Sequence, residues 1–175
     1  DVGHVFALTV SVLDQLGLNI QDARIITTDG GYTLDSYLLL DESGEPVTER
    51  RRVEEIAQRL RETLLDPQRL PEPSSRPLPR QLRHFTTPTR LSFSNDARNN
   101  HTVLELITGD RPGLLSQVGY AFTTCGIRLK NAKITTIGEK AEDVFFITDQ
   151  SRRPISDPRQ FTCLREALDQ LFDGD

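Results

Sequence analysis

The chain contains no methionine, not even at position 1, and this absence leads us to expect a segment of something longer. No apolar stretch approaches the roughly 20 residues that a membrane-spanning helix needs. The opening DVGHVFALTV has neither the basic flank nor the small-residue cleavage site of a signal peptide, so the expected address is the cytoplasm, with no membrane partner. Positive charge is also in short supply: 21 Lys and Arg stand against 26 Asp and Glu, which argues against general affinity for nucleic acid. A short basic run at 49–52, ERRR, reads as a solvated helix start. Cysteine is limited to Cys125 and Cys163, which fall on separate amphipathic patterns and read as reduced core residues rather than as a disulfide. Catalytic signatures are missing too. The three histidines are scattered at 4, 84 and 101, no His-Asp dipeptide occurs, and no phosphate-cradling glycine loop is present; no catalytic or metal-binding residues are expected.

What the chain does have is an internal repeat. DVGHVFALTVSVLDQLGLNIQDARIIT aligns with DRPGLLSQVGYAFTTCGIRLKNAKITT, placing Asp1 on Asp110, Gly17 on Gly126, Ala23 on Ala132 and Thr27 on Thr136. After a one-residue slip in the following hairpin, Asp35 meets Asp143 and Asp41 meets Asp149. Each copy reads helix, strand, strand, helix: helices near 4–16 and 112–125, strands near 18–28 and 127–137, hairpin turns at TDGGY and IGEKA, strands near 34–41 and 143–149, and helices near 49–65 and 157–172. The first strand of each copy changes its alternation midway, from Leu18 and Ile20 to Ala23 and Ile25 and from Ile127 and Leu129 to Ala132 and Ile134, which predicts a β-bulge in both.

HTVLELITG adds an opening strand to the second copy, giving the order of a split βαβ, ferredoxin-like unit. The fold class is therefore α+β, with two βαββαβ units of which the first lacks its opening strand. Residues 1–65 form the first unit, 66–85 a linker that holds five of the ten prolines, 86–95 a candidate closing strand of the first unit, and 100–175 the second. The second unit's own closing strand is missing or lent by another segment. The third strands, SYLLLD and VFFITD, are apolar on both faces, which predicts that the back of the sheet is covered by the other copy or another chain. Phe145 and Phe146 read as packing residues rather than an RNA-stacking platform.

A strand–DRPG–helix corner followed by GI.L..A.I.T resembles the ACT domain, a small regulatory module that senses amino acids. LRHFT, LELITGDRPGLLSQVG and GIRLKNAKITTIGEKAEDVFFITD together resemble the C-terminal tandem ACT pair of the bifunctional uridylyltransferase/uridylyl-removing enzyme family. The first copy departs from the pattern, with DVGH at its corner. The resemblance implies L-glutamine as effector, the PII nitrogen-regulatory protein as the parent enzyme's partner, catalytic domains upstream, Mg2+ for those domains, no cofactor in these residues, and ACT–ACT association.

The corner itself has the chemistry for an amino acid. Amides of Gly113, Leu114 and Leu115 at a helix start suit an α-carboxylate, which the helix dipole favours by roughly 0.3–1 kcal/mol. Asp110 is placed for the ammonium, Arg111 for a carboxylate or a neighbouring subunit, and Pro112 for the first turn. Arg128, Lys130 and Asn131 are expected across the corner, with Asn131 taking a side-chain amide. A weaker second site is expected on Asp1, His4 and Asn19. His84 reads as a linker residue or a contact to the second copy. Against this stands the plainer reading that Asp110 merely caps the helix. The competing functions are a docking module without ligand, a sensor of another amino acid, and a nucleic-acid-binding ferredoxin-like fold.

Overall fold

A computed structural model describes residues 2–66, 68–72, 87–111 and 113–169. Along the chain run α1 (Val2–Gln15), β1 (Asn19–Thr27), β2 (Thr33–Leu40), α2 (Arg50–Leu64), β3 (Arg90–Asp96), β4 (His101–Gly109), α3 (Leu114–Thr124), β5 (Arg128–Ile137), β6 (Lys140–Thr148) and α4 (Pro158–Leu168). The strands join in one antiparallel sheet of order β2-β1-β5-β6-β4-β3. Its alternation dictates the layering. Ala23 and Ile25 on β1, Ala132 and Ile134 on β5, and Phe145 and Ile147 on β6 are buried under the helices, whereas Arg24 and Lys133 between them are exposed. The result is the expected α+β fold of two ferredoxin-like, ACT-type units.

Both bulges occur where the alternation changes, between Ile20 and Asp22 and between Leu129 and Asn131. The extra residue re-phases each strand, so Leu18 with Ile25 and Ile127 with Ile134 all reach the core. The two copies join edge to edge through β1 and β5. Ala23 stands opposite Ile134, their counterparts Ala132 and Ile25 stand opposite each other, and Arg24 meets its own counterpart Lys133 at the centre. A local two-fold axis therefore passes between these strands. Above it α1 crosses α3 so closely that a Cβ on Gly119 would lie 2.7 Å from the Cα of Ala7.

Several sequence expectations change here. The segment expected to close the first unit, 86–95, supplies β3, which pairs along its length with β4 from Arg90–Ile107 to Asp96–His101. A tight hairpin imposes this, its turn held by Asp96, whose carboxylate accepts from the amides of Arg98 and Asn99 at 3.1 Å each. The second unit thus receives its fourth strand from the segment before it. The third strands β2 and β6 do not meet; β1 and β5 lie between them. Leu34 and Leu38 on β2 face away from the helices and are exposed, while Leu39 packs under α1 and α2. Cys125 and Cys163 are bonded to each other, their Cα atoms 5.8 Å apart. The inward orientation that made them read as core residues brings them together once α4 lies against α3. The linker's first residues are also structural. The carbonyl of Glu72 accepts from Ser11 Oγ on α1 and Ser116 Oγ on α3, both at 2.9 Å, strapping the chain across the helix seam. Phe172 and His84 lie outside the described residues.

Candidate functional site

β4 delivers the chain to the corner at Gly109. The amide of Asp110 donates to the carbonyl of Glu139 in the β5–β6 hairpin at 2.7 Å, which fixes where the chain turns. Gly113 then stands at the N-cap of α3 with φ 78°, the left-handed region that glycine enters without cost, and among the described residues no side chain caps the helix. Asp110 is therefore not the cap; its carboxylate accepts from the Arg111 amide instead. The amide of Leu114 folds back on the Arg111 carbonyl at 3.3 Å, so the start of α3 is a glycine turn opening into a cleft. Pro112 lies outside the described residues.

The cleft is built by both copies. The corner supplies Asp110, Arg111, Gly113 and Leu115, while α1 and the start of β1 supply Asp14, Leu18 and Asn19. Its floor includes Thr136 and Asp143. Among the described residues, three carboxylates and one guanidinium line it. Asp143 is 2% exposed; its Oδ1 accepts from the Thr135 amide at 3.2 Å, and its Oδ2 has no hydrogen-bond partner among the described residues. Burial, with the Asp110 charge adding to it, pushes the Asp143 carboxyl up to about 7. Burial likewise raises Asp110 and lowers Arg111.

The residues expected across the corner are elsewhere. Gly109 lies against Lys140, at the far end of β5 from Arg128, which pairs with Thr148. Arg128 and Lys130 instead line a second cleft with Val5, Thr27 and Arg152. Lys130 donates to the Asn99 carbonyl at 3.0 Å, and Asn131 Oδ1 accepts from the Thr27 amide at 3.3 Å. Conversely, Asn19, expected beside the first corner, lines the cleft of the second, its Nδ2 donating to the Asp41 carbonyl at 3.1 Å. The corner of the second copy thus faces β1 of the first, a consequence of the two-fold axis. His4 sits half-buried on α1, and Asp1 lies outside the described residues. The clefts differ in sign, one acidic and the other lined by three cations and Asp29. Sequence reading missed Asp14 and Asp143; the signal for Asp143 was a carboxylate in phase with Phe145 and Ile147.

No helix of the described residues is long and apolar enough to cross a membrane. Among those residues no group of His, Cys, Asp and Glu is arranged for a metal ion.

No family model matches the chain, and no solved structure matches it. It is 47% identical over 169 residues to the bifunctional uridylyltransferase/uridylyl-removing enzyme of Pseudomonas savastanoi pv. phaseolicola, a match covering 96% of the chain. The enzymes of the same name from Pseudomonas syringae pv. tomato and Pseudomonas putida are each 46% identical, over 96% and 97% of the chain. The chain is homologous to one segment of these enzymes. It spans 19% of their length.

Proposed function

We propose that the chain is the effector-sensing part of a bifunctional uridylyltransferase/uridylyl-removing enzyme, and that L-glutamine binds in the acidic cleft at the second corner. It is a regulatory, non-catalytic segment of a cytoplasmic enzyme. Catalytic domains elsewhere in that enzyme, using Mg2+, add UMP to the PII protein and remove it, and glutamine sets the balance. The observation that carries this reading is the joint construction of the cleft. A free amino acid seated there presents its α-carboxylate to the uncapped start of α3 and its ammonium to Asp110, while touching Asp14 and Asn19 of the other copy. Occupancy therefore changes the free energy with which the two copies hold each other, the coupling that an effector needs.

Calorimetric titration with glutamine tests it. Asp110→Ala removes a charge-assisted partner and should cost about 1–3 kcal/mol of binding, some 5- to 150-fold in Kd, with folding checked by circular dichroism. Unaltered affinity in the folded variant refutes the assignment. A chain that binds no amino acid supports the alternative of a docking module, which draws on the open sheet face with its exposed Leu34 and Leu38.

A further inference from the structure

We propose that Asp143 is a second carboxylate of the amine subsite, so that a ligand's ammonium is held between Asp110 and Asp143 and its binding expels a proton from the cleft. The inference rests on the amino-acid-sensing reading above and adds to it a residue and a linkage.

The two copies supply the argument by comparison. Asp35, the counterpart of Asp143, is satisfied by its own strand: Thr33 Oγ1 donates to its Oδ1, and the Tyr37 hydroxyl donates to its Oδ2 at 3.4 Å. The positions matching Thr33 and Tyr37 in the second copy are Ala141 and Phe145, which offer no donor. Asp143 therefore keeps the same inward place without either partner, and its Oδ2 is left unpaired in the wall of the cleft. A buried carboxylate oxygen without a donor is costly, and a scaffold that needed only packing has an apolar solution next door in Phe145 and Ile147.

The charges that face Asp143 leave room for a cation. Asp110 from the corner and Asp14 from the end of α1 line the same cleft, and Arg111 is the one cation among its described lining residues. From β5 and α3 come only uncharged groups, among them Ile134, Thr136, Leu114 and Ser116. With its carboxyl pushed up to about 7, Asp143 carries a proton over much of the range below neutrality. An arriving ammonium favours the carboxylate, and the proton leaves to the buffer.

The test titrates the chain with glutamine and with glutaramate, which keeps the carboxylate and amide but has hydrogen in place of the ammonium. Titrations run from pH 5.5 to 8.5 in two buffers of different ionisation enthalpy. Glutamine affinity should climb by up to about ten-fold per pH unit towards neutrality and then level, with up to one proton released per ligand at the acid end. Asp143→Asn should abolish the slope and the proton release and weaken binding at pH 8 by at least about ten-fold. Phe145→Tyr keeps the carboxylate but restores a hydroxyl donor of the kind that Asp35 has, so it should weaken glutamine and lower the proton count, and it serves if the asparagine variant does not fold. Glutamine binding that releases no proton, or that is matched by glutaramate, overturns this inference and leaves the glutamine reading standing. Asp143-dependent proton release with another amino acid, together with no binding of glutamine, keeps this inference and overturns glutamine as the effector. A chain that binds no amino acid overturns both.

Discussion

At Gly119 the helix α3 of the second copy crosses α1 of the first at close range, and adding one carbon there measures how tightly they are joined. A Cβ at this position would stand 2.7 Å from the Cα of Ala7 and 3.0 Å from its Cβ. Ordinary van der Waals contact between carbons needs about 3.5–4.0 Å, so α1 and α3 must part by the better part of an ångström. Gly119→Ala gains about 1 kcal/mol of helix propensity, and overpacking a filled seam costs about 1–3 kcal/mol. The expected net is a loss of up to about 2 kcal/mol, read as a fall of roughly 2–8 °C in Tm for a chain of this size. Because one of the clashing atoms belongs to the backbone, Ala7→Gly should relieve only part of the loss, and a double-mutant cycle would show incomplete coupling. The same parting would loosen Ser11 and Ser116 from their shared acceptor on Glu72 and widen the acidic cleft, so glutamine affinity should fall with stability. A Gly119→Ala variant that melts above the parent chain would refute the close crossing and with it this account of the seam.

The Cys125–Cys163 bond closes a loop of 38 residues, worth about 3–4 kcal/mol by chain entropy; Cys163→Ser, or reductant, should lower Tm by on the order of 10 °C, and a melt indifferent to reductant contradicts the bond. The raised Asp143 carboxyl makes the folded state bind more protons than the unfolded state, so stability should fall as pH climbs from about 4 through about 7 and level above. The full shift corresponds to at most about 4 kcal/mol, and urea unfolding of Asp143→Asn should flatten this dependence and leave the variant the more stable above pH 7.

The fold was legible because its signals are local. The bulges at Gln21 and Lys130 show as a change of phase within a single strand, and the duplicated pattern from Ala23 to Thr27 and Ala132 to Thr136 shows which residues share a face. Periodicity does not say which edge meets which. Nothing in the stretch from Ile127 to Ile137 says that β5 pairs with β1, and that pairing is what carries Arg128 away from its own corner and brings Asn19 to the other one. β3 was misassigned for the same reason, since a strand beside a linker reads equally well as the end of one unit or the start of the next. Cys125 and Cys163 each showed an inward face, and only the packing of α4 on α3 turns two inward faces into one contact.

The site follows the same division between what duplication supplies and what divergence changes. Duplication provides two helix starts, the paired strands β1 and β5 and the axis between them, and it would give two equivalent clefts if the copies were identical. The differences fall at the points of contact. Asn19 stands where the other copy has Arg128, and Ala141 and Phe145 stand where the other copy has Thr33 and Tyr37. The first exchange leaves one cleft without the Arg128 guanidinium that lines its twin. The second strips Asp143 of the donors that Asp35 retains. Both act in one direction, lowering positive potential and raising unsatisfied negative potential in the cleft beside the uncapped helix start of the second copy. A zwitterion needs a helix start for its carboxylate and an unsatisfied carboxylate for its ammonium within one small cleft, and Asp35 of the first copy already holds the two donors that Asp143 lacks.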